Sequence, residues 1–215
     1  MQLYYYQHCP FCAKVRFTFG LKKLPVTLQV VMADDEATPV ALVGKKIVPI
    51  LVKDDGTAMT ESLDIVGYLD GLGERPLLAG PLNPAITEWI TALRVFLKNL
   101  TYPRFARTDF AELATPQARE AYRQKETKVI GDLDEKFRQS AQWIGPLNES
   151  LAQLDALLVS TEACNGELSE DDVNLFAFLR NASIVKEAVW PARVERYVKG
   201  LSERTQVPLF FDLAM

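Results

Sequence analysis

Apolar and polar positions divide the chain into two stretches with different periods. Up to about residue 70, short apolar runs alternate with helical spacings. Gln2 to Tyr6 is a Leu/Tyr-rich run with strand propensity, and it leads directly into Cys9-Pro10-Phe11-Cys12. Phe11, Val15, Phe19 and Leu21 follow a loose helical spacing that Gly20 and Pro25 are expected to end. Pro25 to Val31 alternates and then turns fully apolar, which predicts a second strand at the centre of a sheet. Asp34 to Val43 predicts a short helix and Ile47 to Val52 a third strand. Asp54-Asp55-Gly56-Thr57 is a hairpin signal, with Thr57 to Met59 returning. A helix carrying Leu63, Ile65, Val66 and Leu69 then opens at Thr60 or Glu61, with Ser62 or Thr60 as its cap. The order β-α-β-α-β-β-α predicts a small mixed sheet with helices on both faces. Its first two strands are parallel and its last two antiparallel.

The pattern changes after this point. Residues 71–84 hold three glycines and three prolines and read as a linker. Beyond it strand signals nearly vanish. Ile86, Trp89, Ile90, Leu93, Leu97 and Leu100 fall on one helical face. Thr115-Pro116 opens a helix expected to run through Tyr122, Val129, Leu133 and Phe137. Leu147, Leu151, Leu154 and Leu158 mark another. Ser169-Glu170-Asp171-Asp172 reads as a capping box ahead of the apolar run Val173 to Ala182, and Trp190-Pro191 begins a last helix. The expected division is an α/β domain over residues 1–72, a linker over 73–84 and an all-helical domain over 85–215.

Composition narrows the class. Of 215 residues, 48% are hydrophobic and 24% charged, as in a folded globular chain. Twenty-four basic against 28 acidic residues leave a net charge of -4, which argues against a nucleic-acid binder. No run approaches the ~18 apolar residues of a membrane span. The stretch Met1 to Lys14 lacks the pattern of a secretory signal, so a reducing, cytoplasmic setting is expected. There, a Cys-x-x-Cys pair points to redox catalysis or metal binding rather than to a staple.

The position of that pair carries the chemistry. Pro10 suits the first helical position, which places Cys9 at the N-cap among unpaired backbone N–H groups and the positive end of the helix dipole. Both favour a thiolate, so the Cys9 pKa should drop below the ~8.5 of a free thiol. Cys12 lies one turn along the same face, close enough to bond Cys9 and deeper in the helix. Cys9 then attacks and Cys12 resolves. Lys14 and Arg16 would add positive potential if they point that way. A metal site is short of ligands, with one cysteine pair, His8 and the distant Cys164. His8 either tunes the thiolate or merely shapes the loop, and Cys164 reads as a lone buried thiol. Taken alone, Val48-Pro49 is an edge feature or bend. Glu61-Ser62 is a plain helix start, or a set of N–H groups presented to a carboxylate.

Together, strand–Cys9-Pro10-Phe11-Cys12–helix, Val48-Pro49 opening a strand and Glu61-Ser62 opening a helix are similar to the thioredoxin-fold domain of glutaredoxins and glutathione transferases. With the linker, the helical domain, Pro103-Arg104-Phe105 and the stretch Asn165 to Asp172, the chain resembles the glutaredoxin 2 family along nearly its whole length. The resemblance implies a glutathione-transferase-like architecture and a glutathione-dependent thiol–disulfide oxidoreductase. Its co-substrate would be glutathione, and its other partners disulfide-bonded or glutathionylated proteins; the family leans to a monomer. It further implies that Pro49 is cis and that the Val48 backbone pairs with the cysteine part of glutathione. Glu61 and Ser62 would hold the γ-glutamyl end, and Lys45 or Lys46, and after them Lys22, would meet the glycine carboxylate. The alternatives are a glutathione transferase with a cysteine active site and a binding protein without turnover. A cysteine pair stands where transferases carry serine or tyrosine, which argues against ordinary conjugation.

Overall fold

A computed structural model describes all 215 residues. The first half runs β1 (Gln2–Tyr5), α1 (Pro10–Lys22), β2 (Thr27–Val30), α2 (Ala37–Val43), β3 (Ile50–Val52), β4 (Ala58–Met59) and α3 (Ser62–Asp70). The second half is helical: α4 (Pro84–Phe105), α5 (Pro116–Ile130), α6 (Leu133–Arg138), α7 (Ala141–Leu157), α8 (Glu170–Ala182) and α9 (Ala192–Thr205). Short 3-10 turns occupy Ala111–Leu113 and Phe211–Leu213. No helix is long and apolar enough to cross a membrane.

The sheet order is β2-β1-β3-β4. β1 pairs with β2 in parallel, Leu3 opposite Leu28, and with β3 antiparallel, Leu3 opposite Leu51. β3 and β4 form the expected hairpin, Leu51 opposite Met59. The apolar run of β2 does not sit at the centre. β3 takes the free side of β1, which leaves β2 at the edge with Leu28 and Val30 exposed. A single strand's pattern does not specify which side its neighbours take.

Three other local expectations change. Gly20 does not end α1, which continues to Lys22 and closes on Lys23 in the left-handed region (φ 53°). Gly20 instead allows α1 to meet the end of α9, because a Cβ there would lie 1.8 Å from the Thr205 carbonyl oxygen. The helix opened by Pro116 stops at Gly131 (φ 86°), and Asp132 restarts the chain as α6 by accepting the Glu135 N–H at 2.7 Å. α3 is capped by neither Thr60 nor Ser62. Its N-cap is Glu61, held at φ 65° and ψ 106° with no side-chain capping bond. The capping box of α8 forms as expected, the Asp172 carboxylate accepting the Ser169 N–H at 2.8 Å.

The segment between α3 and α4 has no helix or strand but is fastened at several points. The Asp70 carboxylate accepts the N–H groups of Leu77 and Leu78, and Gly80 donates its N–H to the Leu168 carbonyl at 2.8 Å. The two halves share packing as well. The ring of Phe17, on α1, sits 5.1 Å from that of Phe176, on α8, and belongs to the helical core.

Candidate active site

Local sequence builds the reactive end of α1. Cys9 takes extended backbone angles (φ -70°, ψ 123°), Pro10 starts the helix, and the Cys12 N–H points to the Cys9 sulfur at 3.4 Å. The Cys9 thiol is pulled down from its ordinary value to about 7. Hydrogen bonding from the Cys12 side chain contributes most. Burial opposes it, and the Cys12 N–H, the charge of His8 and the Phe11 N–H add to the lowering. Cys12 moves the opposite way, pushed well above the ordinary range by burial and then by bonding to Cys9. The pair therefore holds its charge on Cys9 and its proton on Cys12. All three cysteines are free.

Cys12 is sealed at 0% exposure, whereas Cys9, at 8%, reaches the floor of a cleft of about 540 Å³ between the halves of the molecule. Lys46, Ile47 and Val48 form the α/β wall, while Tyr102, Tyr122 and Glu126 belong to the helical wall. The Val48–Pro49 peptide is cis and lies at the entry to β3. Cys9 and Val48 thus line one cleft, and Cys12 lies in the core cluster behind, against which Val48 also packs. Glu61 and Ser62 stand at the start of α3 outside the cleft lining, with Lys45 Nζ 3.9 Å from the Glu61 carboxylate. Lys46 lines the cleft and pairs with Glu36 at 3.4 Å.

Lys22 is removed from the anion-binding candidates. Its ammonium is buried and donates to the carbonyl oxygens of Asp70 at 2.7 Å and Arg75 at 2.8 Å, so it serves the segment after α3. Lys14 and Arg16 do not aim at the thiolate either. Lys14 lies over the rings of Phe11 and Phe178, and Arg16 over that of Tyr5. Cys164 is enclosed in the helical core, where burial pushes its thiol up.

His8 turns toward the helical half. Its Nδ1 lies 2.6 Å from Glu112 Oε1, and its backbone N–H donates to the same oxygen at 3.0 Å. Glu112 is fully buried, and Oε2 has no partner. Burial works to raise this carboxyl, but the bonds from His8 outweigh it and the net shift is downward. The imidazole is packed among Tyr6, Phe105, Phe110 and Tyr122, 5.0–5.8 Å between ring centroids. Gln7 is clamped beside it. Its side-chain oxygen accepts the Ala111 N–H at 2.8 Å, and its carbonyl accepts from Arg180 Nη1 at 2.9 Å. Burial lowers Arg180 to about 9, and its guanidinium lies 3.9 Å over the Phe210 ring. None of these helical-half partners is marked by a sequence motif, because 104 and 173 positions separate the bonded residues.

A family model described as "Glutaredoxin 2, C terminal domain" matches residues 85–214, and one described as "Glutathione S-transferase, N-terminal domain" matches residues 3–76. The chain is 44% identical to glutaredoxin 2 of Escherichia coli K12 over 215 residues, covering 100% of both. The crystal structure of glutaredoxin 2 from Salmonella typhimurium in complex with glutathione superposes with a TM-score of 0.97 at 45% identity, over 100% of this chain and 98% of that one. A glutathione S-transferase of Ceriporiopsis subvermispora, also with glutathione, gives 0.72 at 16% identity over 97% of each chain, a likeness of fold alone.

Proposed function

The chain belongs to the glutaredoxin 2 family and works as a glutathione-dependent thiol–disulfide oxidoreductase, and we propose that Cys9 and Cys12 are its redox pair. The observation that carries this assignment is the placement of the two thiols: Cys9 at the cleft floor with its thiol lowered to about 7, and Cys12 sealed behind it with its thiol shifted upward. The Cys9 thiolate attacks one sulfur of a substrate disulfide and releases the other as a thiolate. Cys12, its proton passing to the departing thiolate, then attacks the Cys9 sulfur, frees the substrate thiol and closes the Cys9–Cys12 bridge. One glutathione thiolate opens that bridge at Cys9, leaving Cys12 reduced. A second removes the glutathionyl group as glutathione disulfide.

Glutathione is the co-substrate. In this proposal the Val48 backbone, at the cis peptide beside Cys9, takes its cysteine part. Glu61 and Ser62 take the γ-glutamyl end, and Lys46, the lysine on the α/β wall of the cleft, takes the glycine carboxylate. The remaining partners are protein disulfides and glutathionylated proteins, met in the cytoplasm by a monomer. The division into residues 1–72, 73–84 and 85–215 belongs to the same reading.

Two variants test the pair. Cys9→Ser should abolish reduction of every disulfide substrate. Cys12→Ser should lose dithiol reduction of a protein disulfide while still exchanging a glutathionylated substrate. Full reductase activity in Cys9→Ser overturns the assignment.

A further inference from the structure

Pro10 and Phe11 border a second groove of about 400 Å³ as well as the thiol cleft. Arg94 and Lys98, one turn apart on α4, line it together with Asn181 of α8. Lys14 stands against the same aromatic pair: its Nζ is 5.3 Å from the Phe11 ring and 5.8 Å from the Phe178 ring. The Arg94 guanidinium lies 5.2 Å from Phe178 and 5.9 Å from Phe11. In a chain of net charge -4, three cations gather here, and none of them joins an ion pair. Glu170 attracts Lys14 from outside contact distance. Burial, and then the charge of Arg94, lowers the Lys14 ammonium to about 8, and Glu170 offsets only part of that lowering. Asn181 is buried and its Oδ1 has no hydrogen-bond donor.

We propose that this groove binds an acidic segment of the polypeptide substrate next to the sulfur that Cys9 attacks. Carboxylates would meet Arg94 and Lys98 and relieve the repulsion felt by Lys14, while a peptide N–H would donate to Asn181 Oδ1. A bare inorganic anion satisfies the first requirement and not the second. Phe11 lies inside the Cys9–Cys12 turn and is 39% exposed, so a chain held here is adjacent to the thiolate. The inference rests on the dithiol reading above and adds a substrate preference to it.

The test uses three peptides of equal length, each with one glutathionylated cysteine followed by Asp-Asp, Ser-Ser or Lys-Lys. Cys9 attack breaks the peptide–glutathione disulfide, releases the peptide thiolate and leaves Cys9 glutathionylated; free glutathione then regenerates Cys9 and departs as glutathione disulfide. At low salt, kcat/KM should be about tenfold higher for the Asp than for the Ser peptide, carried by KM and shrinking as salt is added. In the Arg94→Gln/Lys98→Gln double variant, the Asp peptide should fall to the rate of the Ser peptide, with the Ser peptide itself within about twofold of wild type. Equal rates for all three peptides in wild type, or an Asp preference that survives the double variant, overturns the groove assignment. Failure of wild type to turn over the Ser peptide overturns the reading of Cys9 as the attacking thiol instead.

Discussion

The two halves of the molecule bury side chains on different scales. The α/β half has a core of nine buried residues, and both redox cysteines are members of it. The helical half has a core of 34, and that cluster takes in Phe17 and Val66 from the α/β side. A core of nine is small for an independently stable unit. The half that carries the chemistry is therefore not the half that carries most of the packing. The turn before Cys9 shows the same division, since Gln7 and His8 are held by Ala111, Glu112 and Arg180 of the helical half.

If the halves share one core, damage at their junction should unfold both together. Phe17→Ala should cost about 4 kcal/mol. In urea, fluorescence of Trp89, Trp143 and Trp190, all in the helical half, should then shift in parallel with exposure of Cys12 to alkylation. Two separate transitions would divide the molecule where the packing does not. Gly20→Ala drives a methyl into the Thr205 carbonyl and should cost about 3 kcal/mol by the same measurement. Glu112→Gln keeps an acceptor for the His8 N–H but removes the buried charge opposite the ring, and a loss of about 2–3 kcal/mol is expected. Wild-type stability in that variant would leave the Glu112 link to the active-site turn without energetic weight.

The smaller effects concern the thiols. Cys9 is protonated below its lowered pKa and ionised above it, so its alkylation rate should rise with pH and reach half its plateau near pH 7. Cys12 should stay unreactive across that range, because its thiol is shifted upward. His8→Gln removes one of the lesser causes of the lowering and should raise the Cys9 midpoint by less than about one unit. An unchanged midpoint would reduce His8 to a packing residue.

Short-range chemistry was readable along the chain. Pro10 behind Cys9, Asp54 to Thr57 as a hairpin and Ser169 with Asp172 as a capping box all act within four residues, where backbone geometry leaves few choices. The break between α5 and α6 was also written locally, in Gly131-Asp132, but the apolar spacing through Phe137 masked it. Sequence by itself determined that one sulfur would sit at a helix N-terminus with a second sulfur a turn behind, because 3.6 residues per turn and an N1 proline require it. Tertiary structure alone decided that β2 lies at an edge, that Lys22 is occupied by Asp70 and Arg75, and that His8 faces Glu112. Those outcomes depend on which distant surfaces exclude water together, and no local spacing encodes a partner 104 positions away.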